Sequence, residues 1–175
     1  RSVLKTRRRA EATRDPYGEG LRSILWRYNG SGWYQGWNII WHMDGETIGG
    51  YSYPPKVLDL NWKIGAAGDF NGDGELDILW RYHGSGWYQG WNILWYMNGA
   101  QIASYGYPPK ILDTNWKVDG AGDFDGDGKS DLLWRYYGSG WYQGWNIVWY
   151  MDGESILSQE TLVKIEDTNW RVVSR

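Results

Sequence analysis

The 175-residue chain contains no cysteine, which excludes disulfides and thiolate metal sites and leaves the redox compartment unread. No apolar run approaches the eighteen or so residues that a membrane-spanning helix needs, so no such helix and no membrane insertion are expected. Phenylalanine is nearly missing: 2 Phe stand against 15 Trp and 14 Tyr, so the interior must be built from large rings that carry a polar handle. An initiator Met and a signal-like apolar segment are also missing, from which a mature or excised piece of a longer precursor is expected. Charge of neither sign dominates, with 18 Lys and Arg against 21 Asp and Glu and a net charge of -3. The basic residues Arg1, Lys5, Arg7, Arg8, Arg9 and Arg14 gather ahead of an otherwise acidic chain. A short basic tract of that kind reads as a solvated or partner-facing terminus, and no nucleic-acid partner is expected.

What the sequence has is repetition. WRYNGSGWYQGWNIIW begins at Trp26, WRYHGSGWYQGWNILW at Trp80 and WRYYGSGWYQGWNIVW at Trp134, a spacing of 54 residues that holds without a gap. Even the three Met, at 43, 97 and 151, share one repeat position. One supersecondary unit has been copied, and each copy has to bury its face against a neighbour. The period divides the chain into repeat 1 (1–54), repeat 2 (55–108), repeat 3 (109–162) and an extra segment (163–175) equivalent to the first strand of a unit.

Each unit reads as four short strands with no helix. In repeat 3 these are 116–124, 132–136, 145–151 and 155–162, separated by an Asp/Gly loop, a Gly-Ser-Gly turn and Asp152-Gly153. The third strand is apolar on both faces, so both faces are expected to be covered by similar sheets. The fold class expected is all-β, with three four-stranded antiparallel propeller-type blades forming an incomplete propeller; a β-trefoil is the alternative.

The loop between the first two strands carries the clearest chemistry. It reads DFNGDGELD at 69–77 and DFDGDGKSD at 123–131, with oxygen side chains at positions 1, 3, 5 and 9 around a glycine at position 6. Ca²⁺ takes six to eight oxygens, and a tight glycine turn lets alternate side chains converge on it. The expected ligands are Asp69, Asn71, Asp73 and Asp77, then Asp123, Asp125, Asp127 and Asp131, with the main-chain carbonyls of Glu75 and Lys129 at position 7. Position 12 is Trp80 or Trp134, where an EF-hand needs a bidentate Glu, so these are not EF-hands. Repeat 1 has DPYGEGLRS at 15–23, which predicts a weak or absent third site; two Ca²⁺ are expected, the loop with four carboxylates binding more tightly.

GSGWYQGW recurs unchanged at 30–37, 84–91 and 138–145. Its Trp33, Tyr34 and Gln35, with Trp87, Tyr88, Gln89 and Trp141, Tyr142, Gln143, are candidates for stacking on a sugar face, or for packing between blades or subunits. His42 and His83 lie at non-equivalent positions without an evident nucleophile, and no phosphate-binding glycine loop precedes a helix, so an enzyme is not expected.

The combination GDF[ND]GDGxxD[IL]LWR, GWNIxWxM[ND]G and NWK[IV] resembles the bacterial FG-GAP or VCBS repeat family, related in pattern to integrin-α propeller blades. The resemblance covers the chain from Asp15 onward. It implies Ca²⁺ between the first and second strands, an extracellular location and a role in adhesion, ligand recognition or surface architecture; some relatives are lectins. Two departures stand out. The FG-GAP tripeptides are replaced by Gly65-Ala66-Ala67-Gly68 and Gly120-Ala121-Gly122, and three units stand where the family's propellers have about seven. Asn169-Trp170 repeats the first-strand signal of Asn61-Trp62 and Asn115-Trp116, whereas Arg7-Arg8 holds that place in repeat 1. Residues 163–175 are therefore expected to supply a first strand to repeat 1, in the same chain or a neighbouring one, giving a head-to-tail ring or filament.

Overall fold

The computed structural model describes residues 23–172, and they are all-β. The first sheet holds β1 (Ser23–Arg27), β2 (Asn38–Asp44) and β3 (Thr47–Ser52) in the order β1-β2-β3. The second holds β4 (Trp62–Gly68), β5 (Asp77–Tyr82), β6 (Asn92–Asn98) and β7 (Gln101–Gly106), again in sequence order. The third repeats it with β8 (Trp116–Gly122), β9 (Asp131–Tyr136), β10 (Asn146–Asp152) and β11 (Ser155–Thr161). All neighbours are antiparallel, and the sheets stay separate, as propeller-like blades do; the barrel of a β-trefoil is not formed among the described residues.

The strand sequences are rich in Ile, Val, Leu, Trp and Tyr, which fit a pleated surface. Each closing hairpin turns on a glycine, Gly45, Gly99 or Gly153, with φ of 61°, 59° and 63°. One extra residue then bulges in the last strand, so that Tyr96 faces Ser104 but Met97 faces Ile102, and the same shift recurs in the other two sheets.

The core lies between blades. Ile78, Trp80, Ile93, Trp95 and Met97 on one face of the second sheet pack with Leu25 of the first. Leu79, Leu94 and Tyr96 on the opposite face pack with Leu132, Trp134, Trp149 and Met151 of the third. The middle blade is thus covered on both faces, as the two-sided apolar pattern requires.

The segment expected as an extra strand forms no ladder between 163 and 172. A strand needs a hydrogen-bonded partner, and none lies beside it among the described residues. It follows instead the path of the linkers 55–61 and 109–115 over the preceding blade: Ile165 N–H donates to Gly144 O at 3.0 Å, as Ile111 does to Gly90 and Val57 to Gly36. The first strand of repeat 1 and all of its 15–23 loop except Ser23 fall within residues 1–22, outside the described residues.

Candidate metal centre

The two acidic loops fold alike because the first carboxylate of each organises the turn. Asp69 Oδ1 accepts from the N–H groups of Gly72 at 2.7 Å and Asp73 at 3.1 Å, and its Oδ2 accepts from Gly74 at 2.7 Å. Asp123 does the same with Gly126, Asp127 and Gly128 at 2.7, 3.1 and 3.0 Å. Gly72 and Gly74 have φ of 79° and 87°, Gly126 and Gly128 of 85° and 90°, so two left-handed glycines per loop curl the alternate side chains inward. Asn71 and Asp125 then accept from the N–H of Asp73 and Asp127, which in turn accept from Glu75 and Lys129.

The last carboxylate of each loop comes from a strand. Asp77 opens β5 and is fully buried, its two oxygens held by Met97 N–H at 2.9 Å and Phe70 N–H at 3.0 Å. Asp131 opens β9 and is held likewise by Met151 and Phe124 at 2.9 and 2.8 Å. Burial pushes the Asp77 carboxyl up to about 7, with Asp73 and Asp69 adding to the shift and the two N–H groups opposing it. Burial pushes Asp131 up as well, helped by Asp125 and Asp127. Neither buried carboxylate has a cationic side chain paired with it among the described residues.

Carboxylate oxygens of Asp123, Asp125 and Asp131 all lie within 4.8 Å of one another. An all-oxygen set of this kind suits a hard divalent cation. At position 7 the side chains find partners outside their loops: Glu75 accepts from Gly99 N–H at 3.3 Å and Lys129 pairs with Asp152.

The aromatic loops divide into two kinds of residue. Trp33, Trp87 and Trp141 are 80, 78 and 79% exposed. Tyr88 and Tyr142 lean on Trp62 and Trp116 at 6.3 Å, and Gln35, Gln89 and Gln143 each donate to a linker carbonyl, at Leu58, Leu112 and Glu166. Tyr34 packs on Tyr28 and Trp37. The Tyr and Gln positions are spent largely on the fold, and the Trp positions are presented to solvent.

A set of residues that pattern reading passed over is the arginine of each WRY. Arg81 is buried and donates to the carbonyls of Gly90, Ile111, Asp113 and Trp116 and to Asn92 Oδ1, at 3.0–3.2 Å. Burial lowers its pKa to about 10, and Asp113 opposes the shift. Arg27 and Arg135 clasp the linkers after β3 and β11 in the same way. Recurrence of a charged residue inside an apolar strand was the signal that could have found them.

Residues 69–134 match the family model of the FG-GAP-like repeat. Searches of curated proteins and of solved structures returned no match.

Proposed function

We propose that this chain, a β-repeat protein with an FG-GAP-like repeat at 69–134, binds two Ca²⁺ ions and works outside the cell as a non-enzymatic structural or adhesive element that associates with itself. The observation that carries the metal reading is the gathering of Asp123, Asp125 and Asp131 oxygens around one point, with Asp131 buried and its charge unmatched by a cationic side chain among the described residues. Divalent charge in each loop would remove the repulsion among its carboxylates and tie β4 to β5 and β8 to β9. FG-GAP-like repeats are typical of extracellular proteins, where free Ca²⁺ is high enough for sites of modest affinity. Thermal unfolding in Ca²⁺, in Mg²⁺ and in chelator tests this reading: Ca²⁺ should raise Tm and chelator should abolish the rise. An equal Tm in all three would reject it.

A second reading, a carbohydrate-binding lectin, is favoured by one feature: three Trp of identical loops stand about four-fifths exposed. Flat rings so presented suit stacking on sugar faces, and three weak sites would combine by avidity.

A further inference from the structure

Each linker that crosses an aromatic loop carries a lysine at the same repeat position: Lys56, Lys110 and Lys164. In the first two repeats the ammonium sits beside the exposed tryptophan. Lys56 Nζ lies 5.7 Å from the ring centroid of Trp33 and 4.6 Å from that of Trp37. Lys110 Nζ donates to the main-chain oxygen of Trp87 at 3.2 Å. Neither lysine is paired with a carboxylate among the described residues.

The fold holds ring and ammonium together. On one side of each lysine, Asn38 Nδ2 donates to Pro55 O and Asn92 Nδ2 to Pro109 O, both at 2.6 Å. On the other side, Val57 and Ile111 N–H donate to Gly36 and Gly90 O at 3.0 Å, and Gln35 and Gln89 reach Leu58 and Leu112 O at the same distance. Loop and linker are thus laced on both flanks of the cation, and the site exists before any ligand arrives. A tyrosine adds to it: Tyr53 and Tyr107 are 56 and 60% exposed, Tyr53 standing edge-on to Trp37 at 6.1 Å.

The third repeat keeps the tryptophan and changes its surroundings. Lys164 pairs with Glu166 at 3.0 Å, and Glu166 stands where the other linkers have Leu58 and Leu112. Thr161 replaces the tyrosine, and Glu160 replaces Ser52 and Gly106. Three identical GSGWYQGW loops therefore carry two kinds of surface. Repeats 1 and 2 offer a flat ring with an unneutralised cation, whereas repeat 3 offers a ring beside carboxylates. A neutral sugar gains little from a full positive charge; a ligand that stacks and also carries an anion gains from both groups.

We propose that Trp33 with Lys56, and Trp87 with Lys110, bind an acidic polysaccharide, the indole stacking on a sugar face and the ammonium pairing with its carboxylate or sulfate. Trp141 takes no part, because Glu160 and Glu166 repel the same ligand. Two like sites on one chain favour a polymer, which both can hold at once, over a single sugar. This inference rests on the lectin reading above and names its ligand class and its two sites.

The test is heteronuclear NMR of the full chain in Ca²⁺, following the tryptophan indole N–H signals assigned by Trp→Phe substitution. The probes are trigalacturonate, its fully methyl-esterified form and a sulfated galactan tetrasaccharide. Trigalacturonate or the sulfated probe should shift Trp33 and Trp87 and leave Trp141 in place, and the stronger of the two identifies the anion. The neutral ester should bind about three- to tenfold more weakly, the scale of one charge-assisted contact near the surface. Lys56→Gln and Lys110→Gln should each cause that loss at its own loop, the other loop reporting that the fold is intact. An ester that shifts the same signals as strongly as the acid would leave the lectin reading standing and reject the charged site. Trp141 shifting with the other two, or binding untouched by both lysine substitutions, would reject it equally. Silence of all three tryptophans toward every probe would reject the site together with the lectin reading of these loops.

Discussion

Arg81 and Trp134 stand face to face across the joint between the second and third blades, the guanidinium carbon 4.9 Å from the ring centroid. One residue does two tasks there. Its N–H groups hold the linker leaving the second blade, and its apolar face rests on the core ring of the third. A desolvated, planar cation with five donors suits this place, and a lysine does not. Arg81→Lys is expected to cost about 2–4 kcal/mol, since four carbonyls and an amide oxygen would lose donors. Denaturant unfolding would read this, and an unchanged midpoint would contradict it.

Glycine at the linker crossing is expected to be irreplaceable. Gly90 has φ of 74°, and a Cβ there would lie 1.9 Å from the main-chain oxygen of Ile111. Gly90→Ala should displace the linker and lower stability by about 2 kcal/mol or more. The control is Gly86→Ala, also at positive φ but with nothing within 4 Å, which should cost about 1 kcal/mol. Equal losses in the two variants would refute the crossing as the cause.

Much of this was legible in advance. The 54-residue period gave the strand order and the two intact acidic loops, because a repeated pattern of apolar residues and turns leaves few alternatives. The arginine clasp was not legible as such, since nothing in WRY says that the side chain reaches a linker 30 residues on. Nor was the division within GSGWYQGW: Gln89 and Trp87 look equally available in sequence, and only the fold shows that one is tied to Leu112 and the other stands in water. Residues 163–172 share the Asn-Trp signal of 109–118 and the same linker hydrogen bond, but a strand signal becomes a strand only when a neighbour completes the ladder.

Acidification should weaken the protein through His83. Burial lowers its pKa to about 4, with Arg81, Lys117 and Lys63 adding to the shift, against 6.5 in the unfolded chain. Between those values the unfolded state binds more protons, so stability is full above about pH 6.5 and falls as pH drops towards 4. His83→Tyr, which copies the residue at 137, should flatten that part of the profile. A profile identical to wild type would exclude His83 as the source.

The exposed tryptophans separate the two functional readings. Trp141→Ala should leave stability within about 0.5 kcal/mol, because the ring packs on little. Loss of polysaccharide retention in affinity electrophoresis by Trp33, Trp87 and Trp141 triple alanine variants would favour the lectin. Retention that never occurs in wild type would remove that reading.

Metal loading should appear as stability. At free Ca²⁺ about a hundredfold above the dissociation constant, one site adds about 2.7 kcal/mol, or roughly 5–10 °C in Tm for a chain of this size. Asp131→Asn should reduce that gain by removing a ligand held in the core, while a fold that survives in chelator identifies the effect as binding.

Calorimetric titration of the full chain with Ca²⁺ bears most directly on the account. Two sites of unequal affinity are predicted, the tighter one lost in Asp123→Ala and the weaker one in Asp69→Ala. Absence of binding heat at millimolar Ca²⁺, or binding left intact by both substitutions, would contradict it.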